Sequence, residues 1–170
     1  VAGIGETFKP DEFTYRVSAA FTKPGVYTPD TDFVSSLVGD REVLDAYTRT
    51  AVTGTVGFTH IFSDELSGRI FLNGGYAKFD DDVFGKRDFQ TIGFLGGVTY
   101  DGRDDKTNAT TGYYADLSVE PFYEFNYGNP AVAMTAEGRT YYSLDADSRV
   151  VLAGRVKIGS IIGPDIAEIA

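Results

Sequence analysis

Hydrophobic and polar residues alternate along this chain with a period of two, most clearly between residues 113 and 126. The odd positions of that stretch are mainly apolar: Tyr113, Ala115, Leu117, Val119, Pro121, Tyr123 and Phe125. The even positions are mostly polar: Tyr114, Asp116, Ser118, Glu120, Phe122, Glu124 and Asn126. Because successive side chains of a strand point to opposite faces, the stretch predicts a strand with one apolar and one polar face. It exceeds the usual five or six residues and is long enough for the roughly 9–11 residues that cross a bilayer in a barrel.

The same alternation recurs along the chain and predicts about eight strands. Their bounds are 13–22, 31–44, 47–62, 66–79, 89–101, 113–126, 131–144 and 149–162, with residues 1–8 as the tail of another strand. A helix over 40–47 is the alternative near the end of the second strand, and residues 80–88 read as a charged loop. No connection has room for a crossover helix, so we expect sequential, antiparallel pairing. The predicted fold is all-β: an antiparallel transmembrane β-barrel, or part of one, formed by residues 1–170 as a single segment.

Composition excludes several classes of protein. The chain has 20 Gly, 13 Phe and 11 Tyr, which is typical of an all-β protein. It has no run of 18 apolar residues that would predict a transmembrane helix. Cysteine is absent, which excludes disulfides, thiol nucleophiles and cysteine metal sites in this chain. A net charge of −10 argues against nucleic acid as a partner.

The alternation alone leaves open which face of the sheet meets the surroundings. In a soluble lipocalin-like barrel the apolar face points inward, whereas in an outer-membrane barrel it meets lipid and the polar face lines the interior. Long strands favour the membrane barrel. Full charges in the middle of the polar faces also favour it: Arg69, Glu120, Glu137, Arg139, Arg155 and Lys157.

One polar hairpin carries a resemblance to a known family. The stretch YDGRDDKTNATTGYY, residues 100–114, resembles the hairpin YD-x-RD…PT-x-G-x of the outer-membrane insertase superfamily, the BamA and TamA type or bacterial surface antigen family. Ala109 or Thr110 stands in place of the family's proline. Residues 45–68 and 139–163 resemble, in the same order, further pieces of TamA-like barrels. The matching positions form a candidate structural turn motif: Tyr100, Asp101, Arg103, Asp104, Thr111 and Gly112.

The resemblance implies a fold and a function. Barrels of that family have sixteen strands behind periplasmic POTRA domains, so this chain would be a middle portion lacking the POTRA domains, the VRGF/Y loop and the seam strands. It would belong to a non-enzymatic factor of the bacterial outer membrane that helps to insert and fold β-barrel proteins and autotransporters. The implied partners are the lipid bilayer, client outer-membrane proteins and an inner-membrane or periplasmic subunit of the assembly module. The hairpin 101–112 would face the periplasm, with the turns 23–30, 63–66 and 144–149 on the same side.

Two alternatives to the insertase remain at this point. One is a self-contained eight-stranded outer-membrane barrel, because eight strands suffice for closure. The other is a soluble lipocalin-like binding barrel.

The remaining candidate chemistry has structural explanations. His60 is the only histidine, which excludes a cluster of histidines, and we expect a structural or lumen-facing role for it. Asp80–Asp82 and the group Asp101, Asp104 and Asp105 lack EF-hand spacing and read as solvated loop charge. Glu120, Glu124 and Glu137 read as spaced lumen charges and not as an acid–base pair. We therefore predict no catalytic residue, metal ligand or cofactor site.

Overall fold

Eight antiparallel strands form one continuous sheet. The computed structural model describes residues 13–44, 47–81, 85–145, 147 and 149–163. Each strand pairs with the next along the chain, in the order β1 to β8. The strands are β1 Tyr15–Lys23, β2 Thr31–Val43, β3 Tyr47–Ile61, β4 Leu66–Asp81, β5 Gly85–Asp101, β6 Gly112–Glu124, β7 Asn129–Ser143 and β8 Val151–Ile162.

These strands confirm the predicted all-β meander and correct two of its details. The stretch 40–43 continues β2 and pairs with both β1 and β3, so the helix alternative for 40–47 is wrong. The predicted charged loop over 80–88 is also wrong at both of its ends, because β4 runs to Asp81 and β5 begins at Gly85, while 82–84 lie outside the described residues. Opposite charges across the ladder offset the polarity there: Lys86 Nζ lies 3.6 Å from Asp80 Oδ2. The predicted strand tail over 1–8 lies outside the described residues.

The two faces of the sheet differ in exposure. In β6 every odd position is exposed, and every even position is partly or wholly buried. The exposed face is apolar across the sheet and includes Val56, Ile70, Leu72, Phe94, Val98, Leu117, Val119, Met134, Val156 and Ile158. Among the described residues only Ala51 and Ala131 are buried hydrophobic side chains. A soluble lipocalin-like barrel requires the opposite arrangement, so that alternative is wrong.

Paired positions carry the apolar face from strand to strand. Directly opposite residues of an antiparallel pair share a face. The row Phe58, Ile70, Gly96, Val119 and Met134 follows the ladder from β3 to β7 on the apolar face. The polar face is the less exposed one, as expected where a sheet curves toward that face.

The sheet is open at both ends in the part of the chain that the structure describes. β1 and β8 each pair with one neighbour and not with each other. Nearly every residue of these two strands is exposed. A self-contained eight-stranded barrel requires β1 to pair with β8, so this sheet does not match that alternative. Among the described residues, no helix is long and apolar enough to cross a membrane.

Candidate functional site

Two glycines of β5 open a passage across the polar face. Gly97 pairs with Arg69 of β4 and with Ser118 of β6. A Cβ built on Gly97 would lie 2.7 Å from Arg69 Cζ, so any side chain there would displace the guanidinium. Gly93 repeats the arrangement farther along β5, where a Cβ would lie 3.0 Å from Glu120 Oε1. Side chains of β4 and β6 can therefore meet although β5 lies between them.

Arg69 crosses β5 over Gly97 and binds Asp116 in a bidentate pair. Its Nη1 lies 2.7 Å from Asp116 Oδ2, and its Nη2 lies 2.9 Å from Oδ1. Thr99 of β5 joins the pair by donating its hydroxyl to Asp116 Oδ2 at 2.6 Å. Bidentate arginine–carboxylate pairs are both stronger and more directional than single ion pairs. This cluster ties three consecutive strands together.

A second link crosses β5 over Gly93. Asn73 of β4 donates Nδ2–H to Glu120 Oε1 of β6 at 2.6 Å. Phe71 of β4 also lies on the polar face, over Gly57 of β3. A Cβ on Gly57 would come within 2.5 Å of the Phe71 ring. Glycines thus make room for large side chains at several points of the polar face.

Glu137 binds two arginines, Arg139 on its own strand β7 and Arg155 on β8. It accepts Nε–H bonds from Arg139 at 2.6 Å and from Arg155 at 2.8 Å, both on Oε1. Arg139 and Arg155 are directly opposite each other across β7 and β8, a placement that repels like charges. The shared carboxylate offsets that repulsion. Glu120 and Glu137 are thus both engaged in contacts between side chains of the polar face.

Arg103 connects the 102–111 turn to the polar face. Its Nε and Nη2 donate to the two carboxylate oxygens of Asp101 at 2.7 and 2.9 Å. Its guanidinium also lies over the Tyr114 ring, 5.1 Å from the centroid, and that of Arg139 lies 5.0 Å from the same centroid. Cation–π contacts of this kind are most favourable where water is excluded. Tyr114 was not singled out in the sequence, because only the strand register brings Arg139 beside it.

Asp104 organises the rest of the turn by accepting hydrogen bonds. Its Oδ1 accepts the backbone N–H of Thr110 at 2.9 Å and of Thr111 at 3.1 Å, and its Oδ2 accepts the Thr110 hydroxyl at 2.5 Å. Its own N–H donates to the carbonyl of Thr111 at 3.2 Å. The Thr110 hydroxyl and these backbone amides hold the pKa of Asp104 well below its ordinary value. Two further backbone amides, of Asn108 and Thr107, lower the pKa of Asp105.

Gly112 and Tyr100, the remaining two residues of the candidate turn motif, both lie close to Gly102. Gly112 has a φ of +105°, and a Cβ there would lie 2.2 Å from the Gly102 carbonyl oxygen. Only glycine fits this position. The Tyr100 ring lies over Gly102, because a Cβ on Gly102 would come within 2.8 Å of the Tyr100 hydroxyl. The structure thus brings the six motif residues together in one hairpin; a role for them in the function of the protein stays a prediction.

Glu124 fixes the turn between β6 and β7, at the end of the strands opposite the 102–111 turn. It is 2% exposed, the most buried charged residue described. Its carboxylate accepts backbone N–H bonds from Gln90 at 3.2 Å, Asn126 at 2.9 Å and Tyr127 at 2.7 Å. The turn 125–128 and the facing strand β5 are therefore fixed to one carboxylate. The sequence signal for this role is a glutamate directly before a tight turn that ends in Gly128, which has a φ of +71°.

His60 lies on the apolar face and not toward the lumen. Its Nδ1 is 2.7 Å from the Thr31 hydroxyl, and its ring lies edge-on to Phe62 at 4.7 Å between centroids. The lumen-facing part of the expectation for His60 is therefore wrong, because its position in β3 puts it on the same face as Phe58. Within the described ranges, no group of three or more His, Cys, Asp or Glu side chains could hold a metal ion.

Taken together, the contacts of the polar face form a network of ion pairs and hydrogen bonds between neighbouring strands. The opposite face is apolar and exposed, which suits a sheet whose outer side meets lipid. A search among curated proteins found no match. The Omp85 superfamily domain matches residues 3–165, nearly the whole chain. The chain therefore belongs to the Omp85 superfamily, whose members are β-barrel proteins of the bacterial outer membrane that insert or transport proteins and are not enzymes in the usual sense.

Proposed function

We propose that this chain forms part of the barrel wall of a TamA-like assembly factor that helps insert and fold β-barrel proteins and autotransporters. The observation that carries the proposal is the family match over residues 3–165, in a sheet whose described part is open at β1 and β8. An open edge exposes backbone N–H and C=O groups, and each group left unpaired in lipid costs several kcal/mol. In this proposal, further strands complete the barrel beyond β1 and β8.

In this proposal the seam of the complete barrel templates client strands by β-augmentation, and these eight strands are scaffold. Addition of a strand to a sheet edge needs only backbone hydrogen bonds, so a single seam serves clients of many sequences. The Arg69–Asp116 ion pair and the Asn73–Glu120 hydrogen bond, which link β4 to β6, favour a fixed wall over a moving one. Client outer-membrane proteins and an inner-membrane or periplasmic subunit of the module are the proposed protein partners.

Replacement of the gene by an inactive copy tests the assembly function. We expect less autotransporter on the cell surface and more unfolded β-barrel protein, scored by heat-modifiable migration in gels, with both restored by the parent gene. Unchanged levels of both client classes would refute the proposal. Loss of a single secreted client with normal barrel assembly would instead point to a dedicated transporter.

A disulfide tether tests whether this segment is scaffold. Ser118 and Thr135 are directly opposite each other on β6 and β7, at a separation that a disulfide can span. This chain has no cysteine, so the double variant Ser118→Cys/Thr135→Cys places one defined thiol pair in it. We expect client assembly to be the same with the tether oxidised or reduced, and the single variant Ser118→Cys serves as the control. Loss of assembly only in the oxidised double variant would show that β6 and β7 part during the cycle.

A further inference from the structure

A groove on the apolar face is an unassigned feature of this sheet. It has a volume of about 610 Å³, within the roughly 300–1,000 Å³ of small-molecule sites. Its lining includes Gly68, Gly96, Phe58, Phe62, Ile70 and Val98. Nothing lies within 4 Å of a Cβ built on Gly96, so the glycine leaves open space in an otherwise continuous apolar surface.

Side chains that can form hydrogen bonds line the groove near the ends of the strands. Thr31 is the first residue of β2, His60 is the residue before the last of β3, and Tyr27 lies in the turn 24–30, whereas Gly96 and Phe58 are farther inside their strands. His60 uses Nδ1 on Thr31, and no described residue bonds Nε2. Histidine and tyrosine at this level can bond a lipid phosphate or ester while their rings stay in apolar surroundings.

Tyr27 reaches the rim of the groove through an unusual backbone conformation. Its φ is +70°, which is costly for a bulky side chain, and it is the one non-glycine residue with positive φ among those described. The side chain is 88% exposed, and its ring centre lies 6.0 Å from that of Phe58. Strained backbone persists where the surrounding structure requires it, often at ligand clamps.

We propose that this groove binds one acyl chain of a diacyl phospholipid, with the headgroup at the level of His60 and Tyr27. The groove continues the apolar belt that barrels of this superfamily turn to the bilayer, so an acyl chain reaches it without leaving the membrane. The turns beside it share the side of the 102–111 turn, which the resemblance places in the periplasm. The lipid therefore comes from the inner leaflet. This inference rests on the outer-membrane barrel and not on the proposed assembly function.

Filling the groove tests the proposal. Gly96→Leu places a side chain in the groove, and Gly74→Leu is its matched control: Gly74 is on the same face of β4, outside the groove, with nothing within 4 Å of a Cβ. The protein expressed from its complete gene is titrated with palmitoyl-oleoyl phosphatidylethanolamine in detergent and examined by native mass spectrometry. We expect the parent and Gly74→Leu proteins to bind one phospholipid tightly. The affinity of Gly96→Leu should be about tenfold weaker, the loss for roughly two methylene groups left unburied.

A second variant tests the polar rim. His60→Phe keeps a ring but removes the free nitrogen, so it should weaken phospholipid binding while leaving binding of the headgroup-free diacylglycerol unchanged. Heat-modifiable migration checks that each variant folds. If Gly96→Leu does not fold, Val98→Phe fills the same groove from its wall and should show the same loss.

Three outcomes would overturn the proposal. Equal phospholipid affinity in Gly96→Leu and Gly74→Leu would mean that the groove holds no specific lipid. Selective retention of lipid A in a parallel titration would assign the site to the outer leaflet. A dimer of the parent protein that Gly96→Leu abolishes would assign the groove to a second copy of the chain.

Discussion

At the scale of single residues, contacts across the polar face depend on glycines, which have no side chain to block them. Gly93 and Gly97 leave room over β5, and this room lets Asn73 meet Glu120 and Arg69 meet Asp116. If Arg69 and Asp116 were separated in this partly buried position, both charged groups would lose their mutual hydrogen bonds. Gly96, which lies between Gly93 and Gly97 in the chain, is on the apolar face and lines the groove.

Replacing Gly97 should therefore break the bidentate pair. A Cβ would lie 2.7 Å from Arg69 Cζ, so Gly97→Ala forces the guanidinium away from Asp116. We expect the free energy of unfolding to fall by about 1–3 kcal/mol, measured by denaturant titration in lipid vesicles. The neighbour Gly96→Ala has nothing within 4 Å and should change it by less than about 0.5 kcal/mol. Equal effects of the two substitutions would show that the Arg69–Asp116 pair does not depend on Gly97.

Replacing Gly112 should be costly for a different reason. Its φ of +105° excludes other residues, and a Cβ would lie 2.2 Å from the Gly102 carbonyl oxygen. We expect Gly112→Ala to lower the free energy of unfolding by about 1–3 kcal/mol. Gly138→Ala, in β7 with open space around the glycine, is the control and should be near neutral. A stable Gly112→Ala protein would mean that the 102–111 turn tolerates another backbone path.

At the scale of elements, the 102–111 turn is held by carboxylates that accept backbone and hydroxyl hydrogen bonds. Arg103 holds Asp101 from one side, and Asp104 holds Thr110 and Thr111 from the other. The hydrogen bond to Asp101 also raises the pKa of Arg103 above its ordinary value. Ion pairing and directional hydrogen bonds thus stabilise this turn.

The turn should consequently weaken in acid. The pKa of Asp104 is lower in the folded chain than the ordinary value of about 3.9 that it takes when unfolded. The stabilisation is therefore complete above about pH 4 and is lost as the pH falls through the lower, folded value. We expect Asp104→Asn to reduce the slope of stability against pH below about pH 4, in acid titrations followed by proteolysis at the turn. Asp64→Asn, in the turn between β3 and β4, is the control, and an unchanged slope in Asp104→Asn would assign the acid sensitivity to other groups.

How far the elements could be predicted depends on the interaction that fixes each one. Alternation with period two gave the strands and their faces, because one face of each strand is apolar. The ends of β4 and β5 were missed, since the charged residues at 80–81 and 86–88 belong to the strand ladder. The partners of Arg69, Glu120 and Tyr114 could not be predicted, because each lies on another strand and only the register brings it near. The turn motif was accessible only through the resemblance.

At the scale of the whole molecule, the sheet has a polar side that is tied together and an apolar side that faces outward. The exposure pattern of β6 repeats this division residue by residue. Membership of the Omp85 superfamily makes the apolar side the one that meets lipid. The groove beside His60 interrupts that surface near its edge.

Labelling of adjacent residues should report these two environments. Val119 and Glu120 are neighbours in β6 that point to opposite faces. We expect a cysteine at Val119 to react with a lipid-soluble maleimide in reconstituted vesicles, and a cysteine at Glu120 to react only with a water-soluble one. Leu117→Cys and Ser118→Cys form a second pair with the same expectation. The reverse pattern would show that the apolar side faces the interior of the barrel.

The two contacts that span β5 have a mechanical consequence. Backbone ladders allow neighbouring strands to twist and slide slightly, whereas a side-chain bond from β4 to β6 restrains both joints at once. β4, β5 and β6 should therefore move as one rigid body. Any bending that widens the barrel should then occur at strand pairs that lack such side-chain links.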